Sequence, residues 1–582
     1  MKVLVCCFFV MLNIYTNGKA SLDSFAPINA SNYLQDSTKN SDSCYRLCKF
    51  NVQPKRCHYK FKIEPVILED GKPGLTVNGA TPGPQIQACV NDVIVVEVEN
   101  KIPDQDVSIH WHGIEQKGTP YMDGVPMVTQ CPINYGGKYK YAFIVSLPGT
   151  FFYHAHSVSH QSDGLYGSLI VNQPAPLEPQ SAPYDYDRSQ DDTLIIAARF
   201  PELMTGSLED LSQLKPKKLL INGVEKNIKL FVSQGFAYRL RLINAVAIEC
   251  PVVVSIDQHE ITAIATDGRP VKPVRTINVQ LYPGERMDVV VRATKENGGY
   301  WVRVKGAGAC TSVNATAMLL YSGFNYTSMI DNYENQSHVD TTSDSVPISG
   351  QMMESFKDVP YISEPKPVYL GIDKNIVKER ENDYRYVSDA IPKRPFFPAY
   401  IALQEKGVVQ INRKNFLYPN VPILLRPRDV VTDKICVVGS EEKQSETQCV
   451  QIIDTLEGEA LEIALVNEGF GSNDSYTFHI HGSAMQVIAT GKHPGGTPMR
   501  KDEFLKNLQN PPIKDTISVP NKGFTIIRIR PDKGSWLLEC RACSLSSLPT
   551  AIIIQVPQTI PKAVLQALPK CGNYRPPDVL LN

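Results

Sequence analysis

Three blocks of the sequence repeat one pattern, short runs of β-branched and aromatic residues broken by glycine and proline. The first, Tyr59 to Val171, holds Asp92-Val93-Ile94-Val95-Val96-Glu97-Val98 and Tyr139-Lys140-Tyr141-Ala142-Phe143-Ile144-Val145. The second, Leu219 to Ala293, holds Tyr238-Arg239-Leu240-Arg241-Leu242-Ile243-Asn244 and Arg286-Met287-Asp288-Val289-Val290-Val291. The third, Val409 to Val556, holds Ala460-Leu461-Glu462-Ile463-Ala464-Leu465-Val466-Asn467 and Thr525-Ile526-Ile527-Arg528-Ile529-Arg530. Runs of this length with no helical period between them predict strands closing into β-sandwiches or barrels. Three units of one kind make an internal repeat. A chain of 582 residues, 42% hydrophobic and 20% charged, can bury several such cores. The expected division is 59–175, 190–325 and 399–560, preceded by a Cys-containing segment 21–58 and followed by a tail 561–582. The polar stretch 326–398, with the charged run Lys374-Asn375-Ile376-Val377-Lys378-Glu379-Arg380-Glu381, reads as an inter-domain linker.

The first twenty residues combine Lys2, the apolar run Val3 to Leu12 and small residues up to Ala20, the pattern of a secretory signal peptide. Five Asn-x-Ser/Thr sequons, at Asn29, Asn314, Asn325, Asn335 and Asn473, fit a secreted glycoprotein. No second long apolar run follows, so a soluble, extracellular protein without a membrane span is expected. Lys plus Arg (59) and Asp plus Glu (60) nearly cancel, leaving no basic field for nucleic acid. Of the 14 cysteines, two lie in the signal, and in an oxidising compartment most of the others should pair. Cys436 and Cys449 flank a polar loop and read as a local bridge, while Cys44, Cys48 and Cys57 cluster ahead of the first block.

Six of the eleven histidines fall in three His-x-His pairs, His110-Trp111-His112, His154-Ala155-His156 and His479-Ile480-His481. Residues two apart on a strand share a face, so each pair offers two imidazoles side by side to a transition metal. The pairs sit in longer strings. His110-Trp111-His112-Gly113 comes with Asp123-Gly124-Val125-Pro126, and Gly149-Thr150-Phe151-Phe152-Tyr153-His154-Ala155-His156 comes with Asp163-Gly164-Leu165-Tyr166-Gly167. Near the C-terminus stands Gly534-Ser535-Trp536-Leu537-Leu538-Glu539-Cys540-Arg541-Ala542-Cys543-Ser544-Leu545.

Together these strings resemble the copper motifs of multicopper oxidases, most nearly the insect laccase type, over about Cys44 to Cys571. The resemblance implies an all-β fold of three consecutive cupredoxin-like Greek-key β-sandwich domains. It also implies a type 1 copper that accepts substrate electrons and a three-copper cluster that reduces dioxygen to water. Carried over by position, His110 and His479 match the type 2 ligands, and His112, His154, His156 and His481 match four of six type 3 ligands.

The remaining positions depart from the family pattern. Tyr476 stands where a type 1 histidine is expected, Leu545 where the second is expected, and Cys540 is kept between them. The two histidines that normally flank that cysteine are Glu539 and Arg541. Arginine is always protonated and has no lone pair to offer a metal. Glu539 and Arg541 are expected to pair and partly replace the missing metal charge. Cys543 offers Cys540 a disulfide partner, or the two form a redox-active dithiol. His156, His481 and Glu539 would surround one former type 3 position, two imidazoles and a carboxylate able to hold zinc, iron or copper.

The first reading is a secreted homologue without oxidase activity, resembling the insect multicopper oxidase-related proteins with degenerate ligands. It would lack a full four-copper complement and act by binding an extracellular protein or a cuticle or matrix component. The alternative is an active copper-dependent oxidase of phenols or metal ions. A third is metal storage or hydrolysis at the His156, His481 and Glu539 position.

Overall fold

The computed structural model describes residues 44–571, apart from 69–70, 206–214, 332–344, 376–407, 413, 440–447, 468–474, 493–508 and 544–548. The expected signal peptide, the sequons at Asn29, Asn335 and Asn473, and Leu545 lie outside the described residues. Asn314 and Asn325 are both exposed.

Each repeat folds into two facing sheets. In the first, the order Pro73–Val77, Arg56–Ile67, Val93–Asn100, Lys138–Ile144 faces Ile86–Cys89, Tyr166–Asn172, Gly149–Ala155, Ile109–His112. The same mixed pairing recurs in every repeat. Arg56–Ile67 runs parallel to Val93–Asn100, Thr193–Arg199 to Ala237–Asn244, and Lys366–Asn375 to Leu461–Asn467. The opposite sheets repeat it with Ile86–Cys89 parallel to Tyr166–Asn172, Lys229–Val232 to Asn314–Tyr321, and Gln448–Asp454 to Thr550–Val556. Parallel neighbours need a crossover rather than a hairpin, so the chain passes between sheets as the Greek-key expectation requires.

Strand alternation builds the cores. In Val93–Asn100, Ile94, Val96 and Val98 join Trp111, Tyr141, Phe143 and Tyr153, while Val93 and Val95 pack with Ala142 on the other face. Burying one such aliphatic side chain contributes about 1.5–3 kcal/mol.

The stretch expected as a linker is partly structured, which corrects the 326–398 and 399–560 boundaries. Ile348–Ser349 pairs with Asn278–Leu281 of the second sandwich, and Lys366–Asn375 is a full strand of the third. Within that strand Val368, Leu370 and Ile372 are buried and Tyr369 is exposed, a period of two that the adjoining charged run obscures in the sequence.

The first and third sandwiches meet through Val125 and Val128, which enter a cluster of Phe416, Ile423, Val450, Leu537 and Ile553. The Ile423 and Leu424 amides donate to the Met127 and Val128 carbonyls. The tail returns to the first sandwich, where Ile560, Val564 and Leu568 join the core and Cys571 bonds Cys131. The other bridges are Cys44–Cys57, Cys48–Cys89, Cys250–Cys310, Cys540–Cys543 and Cys436–Cys449, the last as the spacing suggests. Among the described residues no helix is long and apolar enough to cross a membrane.

Candidate metal centre

The three His-x-His pairs converge where the first and third sandwiches meet. His110 and His112 lie on Ile109–His112, antiparallel to Gly149–Ala155 with His110 opposite His154, and His156 follows that second strand. From the third sandwich, Tyr476–Ile480 carries His479, and His481 follows it. That strand runs antiparallel to Gly534–Cys540 with His479 opposite Glu539. All six imidazoles are buried.

Hydrogen bonds fix which nitrogen of five rings faces inward. A carbonyl oxygen can only accept, so His110 Nδ1 donates to Asp123 O (2.8 Å), His154 Nδ1 to Ala155 O (2.8 Å) and His479 Nδ1 to Asp515 O (3.0 Å). His481 Nδ1 donates to Asp123 Oδ2 at 2.9 Å. Thr516 Oγ1 gives its proton to Asp515 Oδ1 (2.8 Å), so it accepts from His112 Nε2 at 3.0 Å. The inward nitrogens of His110, His112, His154 and His479 therefore carry lone pairs, while His481 turns Nε2 to Glu539 Oε1. His110 Nε2 faces His479 Nε2 at 3.2 Å, and His112 Nδ1 faces His154 Nε2 at 3.2 Å. Two lone pairs held this close repel unless a cation lies between them. The arrangement suits metal ligation, with each outer nitrogen anchored by the protein.

A second layer of charge holds this geometry. Arg286 of the second sandwich is fully buried and grips both oxygens of Asp515, with Nη1 to Oδ1 at 2.7 Å. Asp515 in turn lies 3.4 Å from His112 Nε2 and 3.5 Å from His479 Nδ1. Beside it, Lys514 meets Asp267 at 2.9 Å and Glu285 at 3.0 Å. All three repeats thus contribute to one buried network.

The substituted positions are equally defined. Glu539 Oε1 lies 3.2 Å from His481 Nε2 and 3.3 Å from His156 Nε2. Arg541 Nη1 is 3.6 Å from Glu539 Oε1, the expected pairing, while its Nη2 donates to Gln161 Oε1 at 2.6 Å. Tyr476 is buried, and Cys540 is bonded to Cys543. Burial works against the charge on His481, but Asp123 and Glu539 outweigh it and push its pKa up to about 9. Burial also opposes ionisation of Glu539, yet His156, His481 and Arg541 hold it well below the usual carboxylate range. His110, with burial and the neighbouring His481 against its charge, drops to about 3.

Donor atoms gather in His110, His112 and His154; in His110, His479 and His481; in His112, His479 and Asp515; and in His156, His481 and Glu539. Cys44, Cys57 and Asp92 also lie together, but the two sulfurs are bonded to each other.

Multicopper oxidase family models match residues 62–176, 198–324 and 417–544. The chain belongs to the multicopper oxidase family. It is 27% identical over 510 residues to Laccase-1 of Botryotinia fuckeliana, covering 84% of this chain and 80% of that protein. An L-ascorbate oxidase of Cucumis sativus is 27% identical over 540 residues, covering 84% and 86%. In three dimensions a laccase from Botrytis aclada superposes with a TM-score of 0.69 over 89% of this chain and 92% of that one, at 23% identity. A multicopper oxidase from Campylobacter jejuni, a metallo-oxidase, superposes with 0.58 over 89% and 95%, at 19% identity. These structures establish the three cupredoxin-like domains.

Within this multicopper oxidase family member, residue spacing alone points to the six histidines. It does not single out Asp123, Asp515, Arg286, Thr516 or Gln161. Asp123 and Arg286 do sit in strings with recognisable spacing, Asp123-Gly124-Val125-Pro126 and Pro283-Gly284-Glu285-Arg286. A buried Asp or Arg beside a metal motif is the usable signal, because such charges persist only when paired.

Proposed function

We propose that this chain is a secreted, laccase-like protein without oxidase chemistry that acts by binding an extracellular protein or matrix component. The observation that carries the reading is Cys540, the one sulfur available to a type 1 copper, bonded instead to Cys543. A blue-copper centre needs a thiolate and two imidazoles, and Tyr476 stands where the family resemblance puts one of them. Four coppers do not fit these side chains, since Arg541 brings a fixed positive charge and no lone pair to the cluster. The family's path from the type 1 sulfur to the cluster runs through two flanking histidines, here Glu539 and Arg541. The proposal extends to the insect multicopper oxidase-related proteins as this chain's kin, and to a cuticle component as partner.

The inward lone pairs of the histidines favour a second feature, partial metal binding without turnover. The test is metal content and visible absorption of the secreted, copper-supplemented protein. Substoichiometric copper without an intense thiolate-to-copper band is expected. Four coppers with that band and dioxygen consumption would refute the reading. Placing histidine by Tyr476→His, Glu539→His, Arg541→His and Leu545→His, together with Cys543→Ser, asks whether only the ligands are missing.

A further inference from the structure

We infer that His156, His481 and Glu539 hold one redox-inert divalent cation of the zinc class, which clasps the first sandwich to the third. The inference rests on the reading that four coppers are not loaded, and it names what the remaining donors take instead. Glu539 Oε1 lies 3.3 Å from His156 Nε2 and 3.2 Å from His481 Nε2. Ligand atoms about 2.0–2.1 Å from a tetrahedral zinc stand roughly 3.3–3.4 Å apart, so both carboxylate–imidazole spacings suit that ion, and all three donor atoms lie within 4.8 Å of one another. Copper(II) favours tetragonal geometry and gains less from this spacing.

Two further observations point to a ligand. His156 Nε2 is buried, faces the carboxylate and makes no hydrogen bond. A buried nitrogen without a partner is costly, and a metal bond satisfies it. His481 presents Nε2 because Asp123 Oδ2 accepts from its Nδ1 at 2.9 Å, the carboxylate–histidine–metal arrangement that orients a ligand ring.

Charge sets the stoichiometry. Arg541 Nη1, also without a hydrogen-bond partner, lies 3.6 Å from Glu539 Oε1. Its fixed positive charge repels a second cation from the neighbouring position, so the site takes one ion. The adjoining cavity, lined by His112, His154, Gln161 and Arg541, measures about 20 Å³. A water fits there and a substrate does not, so the ion is structural. It joins His156 of the first sandwich to His481 and Glu539 of the third.

The test uses the full-length protein stripped with a chelator and titrated with zinc chloride, followed by calorimetry and thermal unfolding. One zinc per chain is expected, with Tm raised by about 2–4 °C at saturation. Glu539→Gln should weaken zinc binding at least tenfold, and Arg541→Gln should strengthen it. The opposite directions separate a lost ligand from a generally damaged fold. No saturable binding, two or more ions per chain, or unchanged affinity in Glu539→Gln would overturn the inference. If zinc fails to bind and the blue band is also absent, only the clasp is refuted. A blue band with dioxygen uptake would instead refute the reading beneath it.

Discussion

Around Cys540 the third sandwich is apolar and closed. Tyr476, Cys540 and Cys543 belong to its core together with Phe478, Ile480 and Ile552. Between the sandwiches, by contrast, six buried imidazoles converge, and five of them are anchored through their outer nitrogen. The two regions share the strand Gly534–Cys540 yet are built on opposite physics. A single thiolate site closes easily, because a bonded sulfur and a tyrosine pack like any core residues. The histidine cluster cannot close in one step. Five of the imidazoles are tied to a carboxylate, a carbonyl or a hydroxyl, and removing one strands its partner in a buried site.

The largest effect that would break this contrast comes from behind the cluster. Arg286→Ala leaves Asp515 buried without its counter-charge and should cost about 3–5 kcal/mol in denaturant unfolding. A loss below 1 kcal/mol would mean that the network does not hold the histidines. Next, Gln161→Leu removes the 2.6 Å acceptor of Arg541 and a donor to the Ala245 carbonyl, an expected loss of about 3 kcal/mol by the same measurement. Cys543→Ser opens the bridge beside Cys540. Its loop is short, so the expected loss is about 2 kcal/mol. Copper added to this variant should give no blue band, because a thiolate without two imidazoles is not a type 1 site. A blue band would show that the closed region needs only its sulfur freed. The smallest effect belongs to Ser157→Ala, which removes the cap of the helix Val158–Ser162 that carries Gln161. The expected cost of about 0.5–1 kcal/mol is not enough to unfold the protein, so the change should read as a small drop in Tm.

Much of the fold is legible because strand alternation is local information. Val93-Ile94-Val95-Val96 and Thr525-Ile526-Ile527 announce themselves, whereas Val368, Leu370 and Ile372 are hidden by the charges that follow them. The histidines are legible because a period of two places each pair on one face. Their orientation is not. Which ring nitrogen faces inward depends on Asp123, Ala155, Asp515 and Thr516, and Asp515 is fixed by Arg286, 229 residues away in the chain. The Cys540–Cys543 bridge stands between these cases, since proximity permits it and only the fold shows the sulfurs joined.

The return of the chain end to its beginning has one more consequence. Cys131 and Cys571 close a covalent ring across 440 residues, and the second and third sandwiches both lie within it. A protease that cuts one exposed loop inside that ring linearises the loop without releasing a fragment. On a non-reducing gel the nicked molecule should keep its full mass, and it should fall into two pieces only when a thiol reductant is added.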